Sequence, residues 1–260
     1  MGEKQRVLVT GASGVIGTAV REYLGDRYDL HALTHRPADF PSHVADVADL
    51  EAILPAFAGI DAVVHLAASA SVAAPWNDVL HNNLIGTYNV FEASRRRGVK
   101  AVVFASSNHA IGGYEIDGAP GIYAPDDPRV YDRAAELRPD SLYGVSKAYG
   151  EALGRYYHDR FGLRVCNLRI GSVLADDDPR ADSVRDGSFW LDITPEQKYD
   201  RMRATWLSRR DCAGLIAACL DAEDVGWAVV YGISDNPRQF WDLTHGKEVL
   251  GWWPMDRAPE

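Results

Sequence analysis

A chain of 260 residues, 47% hydrophobic and 25% charged, holds enough apolar material for one large enclosed core. Its formal charge of −10, with no basic block, argues against nucleic acid and anionic membrane as partners. No apolar run approaches the ~20 residues of a membrane-spanning helix, and Cys166, Cys212 and Cys219 fit neither a metal spacing nor a disulfide framework.

The lead before Val7 is short and polar, which reads as no secretory signal and points to the reducing cytoplasm. Residues 6–10 form an apolar strand, followed at once by glycines and by a helical pattern over 15–24. Residues 29–34 and 43–45 read as the second and third strands, 49–57 as a helix and 61–66 as the fourth strand. A long helix over 77–97 and a fifth strand over 100–105 come next. A helix over 146–160, a sixth strand over 163–170 and a seventh over 227–231 complete the pattern. Continuous apolar strands alternating with helices predict a parallel sheet covered on both faces. The expected fold is therefore α/β, a Rossmann-type doubly wound sheet in a single domain over 1–260, with a small C-terminal substrate-binding portion. Two polar stretches, 112–140 and 176–203, interrupt the alternation. Both follow the carboxyl end of a strand, where such sheets bind ligands, so substrate-binding segments are expected within 107–140 and 172–210.

The turn after the first strand reads Thr10-Gly11-Ala12-Ser13-Gly14-Val15-Ile16-Gly17. Glycines there let the backbone turn tightly and approach a pyrophosphate seated on the helix N-terminus. Gly11, Ser13, Gly14, Val15, Ile16 and Gly17 are accordingly expected to hold a dinucleotide. At the end of the second strand NAD enzymes usually carry an acid for the ribose hydroxyl, but the run here is Leu33-Thr34-His35-Arg36. A carboxylate would repel a 2′-phosphate, whereas Arg36 can pair with one, so NADP is expected to be preferred over NAD. Asp46-Val47 follows the third strand, in place for the adenine amino group.

Tyr143 and Lys147 stand four residues apart, a spacing that puts both on one helical face. A phenol titrates near ~10, and a neighbouring ammonium favours its ionised form. The pair can take a proton from an alcohol, given a hydride acceptor beside it.

Together with His65-Leu66-Ala67-Ala68, Asn83-Leu84-Ile85-Gly86-Thr87 and Ser106-Ser107, these motifs resemble the extended short-chain dehydrogenase/reductase family over nearly the whole chain. Phe104-Ala105-Ser106-Ser107-Asn108-His109, Leu142 to Lys147, Leu168 to Ser172, and Arg201-Met202 with Thr205-Trp206 resemble its uronate dehydrogenases and haloarchaeal-type glucose-6-phosphate dehydrogenases. The resemblance implies Tyr143 as general base, Ser107 as the hydroxyl that orients the substrate oxygen, and Lys147 as partner of the tyrosine and the nicotinamide ribose. It implies cofactor contacts from Leu66, Ala67, Ala68, Asn83 and Ile170. It implies sugar contacts from Ser71, Asn108, His109, Ser172 and Arg201, with Arg201 meeting an anionic group at C6. His65 and Asn83 also read as structural residues, a strand end and a helix tie. Trp190, Trp206, Trp241, Trp252 and Trp253 read mainly as packing.

The function so implied is an NAD(P)-dependent sugar 1-dehydrogenase, oxidising C1 of an aldose, acidic by the Arg201 reading, to the lactone. Glucose 6-phosphate, a hexuronate and a neutral aldose all remain open. The alternative is a nucleotide-sugar epimerase or dehydratase of the same superfamily, against which the short run after Gly171 argues. A homodimer or higher homo-oligomer is expected from the family's habit of pairing through two long helices, here 77–97 and 146–160.

Overall fold

The computed structural model describes residues 3–182, 184 and 191–259, so Trp190 lies outside the described residues. Among these, β1 (Arg6–Thr10), β2 (Asp29–Thr34), β3 (His43–Val44), β4 (Ala62–His65), β5 (Ala101–Ser107), β6 (Arg164–Ile170) and β7 (Trp227–Gly232) form one parallel sheet in the order β3-β2-β1-β4-β5-β6-β7. Chain order reverses between β1 and β4, which opens a crevice at the carboxyl ends of those strands. The longer α-helices among the described residues are α1 (Val15–Leu24), α2 (Leu50–Ile53), α3 (Gly86–Arg97), α4 (Gly113–Gly118), α5 (Leu142–Phe161), α6 (Pro195–Thr205), α7 (Arg209–Asp221) and α8 (Thr244–Leu250).

Two cores explain why the strands are apolar end to end. Val7, Val9 and Val103 face α1 and α7 through Val20, Leu24, Leu215 and Ile216. Leu8, Val63 and Phe104 face α3 and α5 through Val90, Phe91 and Tyr157. Burying such side chains contributes about 1.5–3 kcal/mol each. All three cysteines are buried free thiols.

Three boundaries differ from the sequence reading. α5 starts at Leu142, ahead of residue 146, because the Ser141 hydroxyl accepts the Gly144 N–H at 3.0 Å and caps it. Tyr143 and Lys147 therefore both lie inside the helix. The stretch 77–97 runs through a π-helical segment, Val79–Ile85, before α3. Within that wider turn Asn83 Oδ1 accepts from the Ser69 N–H at 2.8 Å and Nδ2 donates to Ser146 Oγ at 2.9 Å. Finally, the polar stretches are not continuous loops: α4 stands in the first, α6 in the second, and α7 and α8 follow.

α5 is pressed hard onto the sheet. A Cβ at Gly150 would stand 2.2 Å from Phe104 Cζ, so only glycine permits this approach. Nearby, Arg169 donates from Nε and Nη2 to the two Glu151 oxygens at 2.9 and 2.9 Å, and Ser106 donates to Glu151 at 2.6 Å. A buried, fully partnered ion pair of this kind ties α5 to β5 and β6 and holds the helix in one register.

Candidate active site

A cleft of about 750 Å³ opens along the carboxyl ends of β1, β2, β4, β5 and β6. That volume suits a small-molecule or cofactor site. Its floor at one end is the glycine turn. Gly11 has φ +70 and a Cβ there would stand 2.8 Å from Ala67 N, so the turn needs glycine twice over. Gly14 caps α1 with no side-chain bond, leaving the helix amides facing the cleft. Ser13, Val15, Ile16, Gly17, Thr34, His35, Asp46, Val47, Leu66, Ala67 and Ala68 complete that end, and these residues fit a dinucleotide. The Thr10 hydroxyl accepts the N–H groups of Leu66 and Ala67, both at 3.2 Å, and bonds His65 Nδ1 at 2.8 Å. His65 Nε2 reaches Thr87 Oγ1 at 3.1 Å, and burial pushes its imidazole down to about 3, so this histidine is a neutral strut.

At the other end Ser107, His109, Tyr143, Lys147, Ile170 and Ser172 line the same cleft. Strand β5 delivers Ser107, α5 delivers Tyr143 and Lys147, and β6 ends at Ile170. His109 Nδ1 is bonded to Asp140 Oδ2 at 2.6 Å, and its ring meets the edge of Tyr143 with centroids 5.8 Å apart. Burial pushes Tyr143 up to about 12; the Ser107 hydrogen bond opposes this and the Asp140 charge adds to it. Lys147 stands 5.3 Å from the Tyr143 ring centroid but donates to the Ala105 carbonyl at 2.7 Å. Burial pushes its own ammonium down to about 7. Burial is the largest influence on both groups.

The sequence signature described as the NAD dependent epimerase/dehydratase family matches residues 7–188. The chain belongs to that family. Over 98% of its length it is 40% identical to an NAD-dependent glucose-6-phosphate dehydrogenase of Haloferax volcanii, covering 95% of that protein. It is also 40% identical to an L-arabinose 1-dehydrogenase (NAD(P)(+)) of the same organism, over 97% of each chain. A uronate dehydrogenase mutant from Agrobacterium tumefaciens, solved in complex with NAD, superposes with a TM-score of 0.80 at 36% identity, over 98% of this chain and 86% of that one.

Not every residue proposed from the sequence of this epimerase/dehydratase family member reaches the cleft. Arg36 is exposed beyond the β2 end and is not part of the wall. Ser71 is exposed, and its hydroxyl accepts the Ala73 N–H at 3.2 Å in its own loop. Asn83 is buried behind the wall by the bonds described above. Asn108 is buried beside Ser107, its Oδ1 accepting the Ser107 hydroxyl at 3.1 Å while Nδ2 has no partner. Arg201 is buried against Glu115, with Nε 2.5 Å from Oε1. Residues the sequence reading missed include Ser69 and Asn82 in the wall, bonded to each other at 2.8 Å, and Asp140 and Glu115 behind it. Two adjacent asparagines at 82–83 were a usable signal; the acids were not, because nothing local distinguishes them from surface carboxylates.

Proposed function

We propose that this chain is an NAD(P)-dependent aldose 1-dehydrogenase that oxidises the anomeric carbon of a free sugar to the lactone. The observation that carries the reading is the meeting of Ser107, Tyr143 and Lys147 in one cleft that continues to the glycine turn. Bound along that cleft, an oxidised nicotinamide dinucleotide supplies the acceptor for the hydride leaving C1. Acting as the phenolate, which the positive charge of a bound oxidised nicotinamide would favour, Tyr143 Oη takes the proton of the anomeric hydroxyl, and Ser107 donates to the same oxygen as it becomes a carbonyl. Lys147 holds the nicotinamide ribose. The relatives' names span a sugar phosphate, a uronate and L-arabinose, so the reading takes in charged and uncharged aldoses alike.

The test is stoichiometric reduction of NAD or NADP on adding free aldoses. An epimerase recycles its cofactor, so the absence of net reduction with every sugar rejects the reading.

Of the two cofactors we take NADP as preferred. Thr34 ends β2 with its hydroxyl bonded to Ser42 Oγ at 3.0 Å, the run Thr34-His35-Arg36 contains no acid, and the exposed Arg36 guanidinium is two residues on. The expected result is a lower KM for NADP than for NAD, narrowed by Arg36→Ala; a clear NAD preference in the wild type removes this assignment.

A further inference from the structure

Between β5 and α5, the Glu115 side chain is 0% exposed. Its carboxylate takes two donors of the Arg201 fork, Nε at 2.5 Å and Nη2 at 3.3 Å, and the Tyr123 hydroxyl at 2.8 Å. Arg201 Nη1 lies 3.5 Å from Ser172 Oγ, and Ser172 lines the cleft. The guanidinium thus stands one layer behind the wall with its charge already balanced. Among the described residues lining the cleft, Lys147 is the sole lysine or arginine, and it belongs to the Tyr143 end. His109, the imidazole nearest that end, is bonded to the Asp140 carboxylate.

We propose that Glu115 is a specificity-determining residue: by balancing Arg201 it fits the sugar end of the cleft to an uncharged hydroxyl, so that a neutral aldose is preferred over a sugar carrying a carboxylate or phosphate. The proposal rests on the dehydrogenase reading above. A carboxylate or phosphate brought to Ser172 meets a guanidinium whose Nε and Nη2 are already taken by the Glu115 carboxylate, so a second negative charge stands close behind it. In a desolvated wall that second negative charge is poorly screened. A sugar hydroxyl asks only for a hydrogen bond, and Ser172 Oγ, bonded to Thr205 Oγ1 at 3.0 Å, retains a lone pair to accept one. Glu115 acts through Arg201 and does not touch the reacting atoms, so its effect belongs in substrate choice.

The experiment compares kcat/KM for three sugars that share one ring and differ at C6: an aldohexose, its 6-phosphate and its uronic acid. Wild type, Glu115→Gln and Glu115→Asp are measured side by side. The wild type is expected to favour the neutral sugar. Glu115→Gln removes the carboxylate that balances the Arg201 charge behind the wall, moving the ratio toward both acidic sugars by on the order of tenfold, mainly through KM, with salt weakening the gain. Glu115→Asp keeps the charge and keeps the wild-type order, which a merely structural role would not require. A wild type that prefers the 6-phosphate or the uronic acid overturns the proposal, even where Glu115→Gln does not fold. Unchanged ratios in a folded Glu115→Gln overturn it as well. Oxidation of acidic sugars alone defeats this inference and leaves the dehydrogenase reading standing, whereas no oxidation of any sugar defeats that reading first and this one with it.

Discussion

Tyr143→Phe is expected to lower kcat/KM for sugar oxidation by about two to four orders of magnitude, the usual contribution of a positioned general base. Dinucleotide affinity is expected to stay close to wild type. The substitution removes one oxygen and keeps the ring, so the edge contact with His109 and the packing of α5 persist. The phenol is half-buried and raised to about 12 in the protein alone, so losing it does not expose a charge. What disappears is the proton acceptor at the anomeric oxygen. Steady-state kinetics with a fluorescence titration of reduced cofactor separate the two effects. Turnover near the wild-type rate, or loss of dinucleotide binding in step with activity, would show that Tyr143 is not the base.

Lys147→Met is expected to be inactive and yet more stable. Lys147 is 5% exposed, and burial holds its ammonium near 7 against 10.5 for an ordinary lysine. For a cation whose folded pKa is depressed, the unfolded chain binds the extra proton between those two values. Stability therefore rises with pH from about 7 to 10.5, and below about 7 the full penalty of burying the charge is present. Met fills the same slot without that penalty, leaving only the Ala105 carbonyl short of one donor. Thermal melting at pH 7 should show Tm higher by several degrees, at about 2–4 °C per kcal/mol for a chain of this size. The gap between wild type and variant should close as pH approaches 10.5. A Tm that falls on substitution at neutral pH, or a gap independent of pH, would mean the amine is stabilising where it sits. Retained turnover would remove it from the chemistry.

Much of the scaffold was legible because its signals are local. The strand cores are runs of valine and leucine, the glycine turn needs a positive φ and close approach at Gly11, and Tyr143 with Lys147 obeys the helical repeat. The start of α5 was also written locally, in the Ser141 cap, but was set four residues late because the tyrosine motif drew the boundary. α7 was passed over because its apolar face, with Cys212, Leu215, Ile216, Cys219 and Leu220, is diluted by alanine and glycine. The site proved harder. Asn83 carries the same letters whether it meets a cofactor or ties two helices, and a single wider turn selected the second.

Taken by itself, the order of residues determined the parallel doubly wound sheet, the end of the sheet that takes ligands, and the residue types available for proton transfer. These follow from periodicity and short-range backbone chemistry. Only the packed chain decided which charges remain for a substrate. Glu115 and Arg201 are 86 residues apart in sequence yet share one buried hydrogen-bonded pair, and Lys147 donates to the Ala105 carbonyl, 42 residues away. Charge in a protein interior is governed by burial and by the nearest partner, and both come from contacts between distant segments that no local pattern encodes.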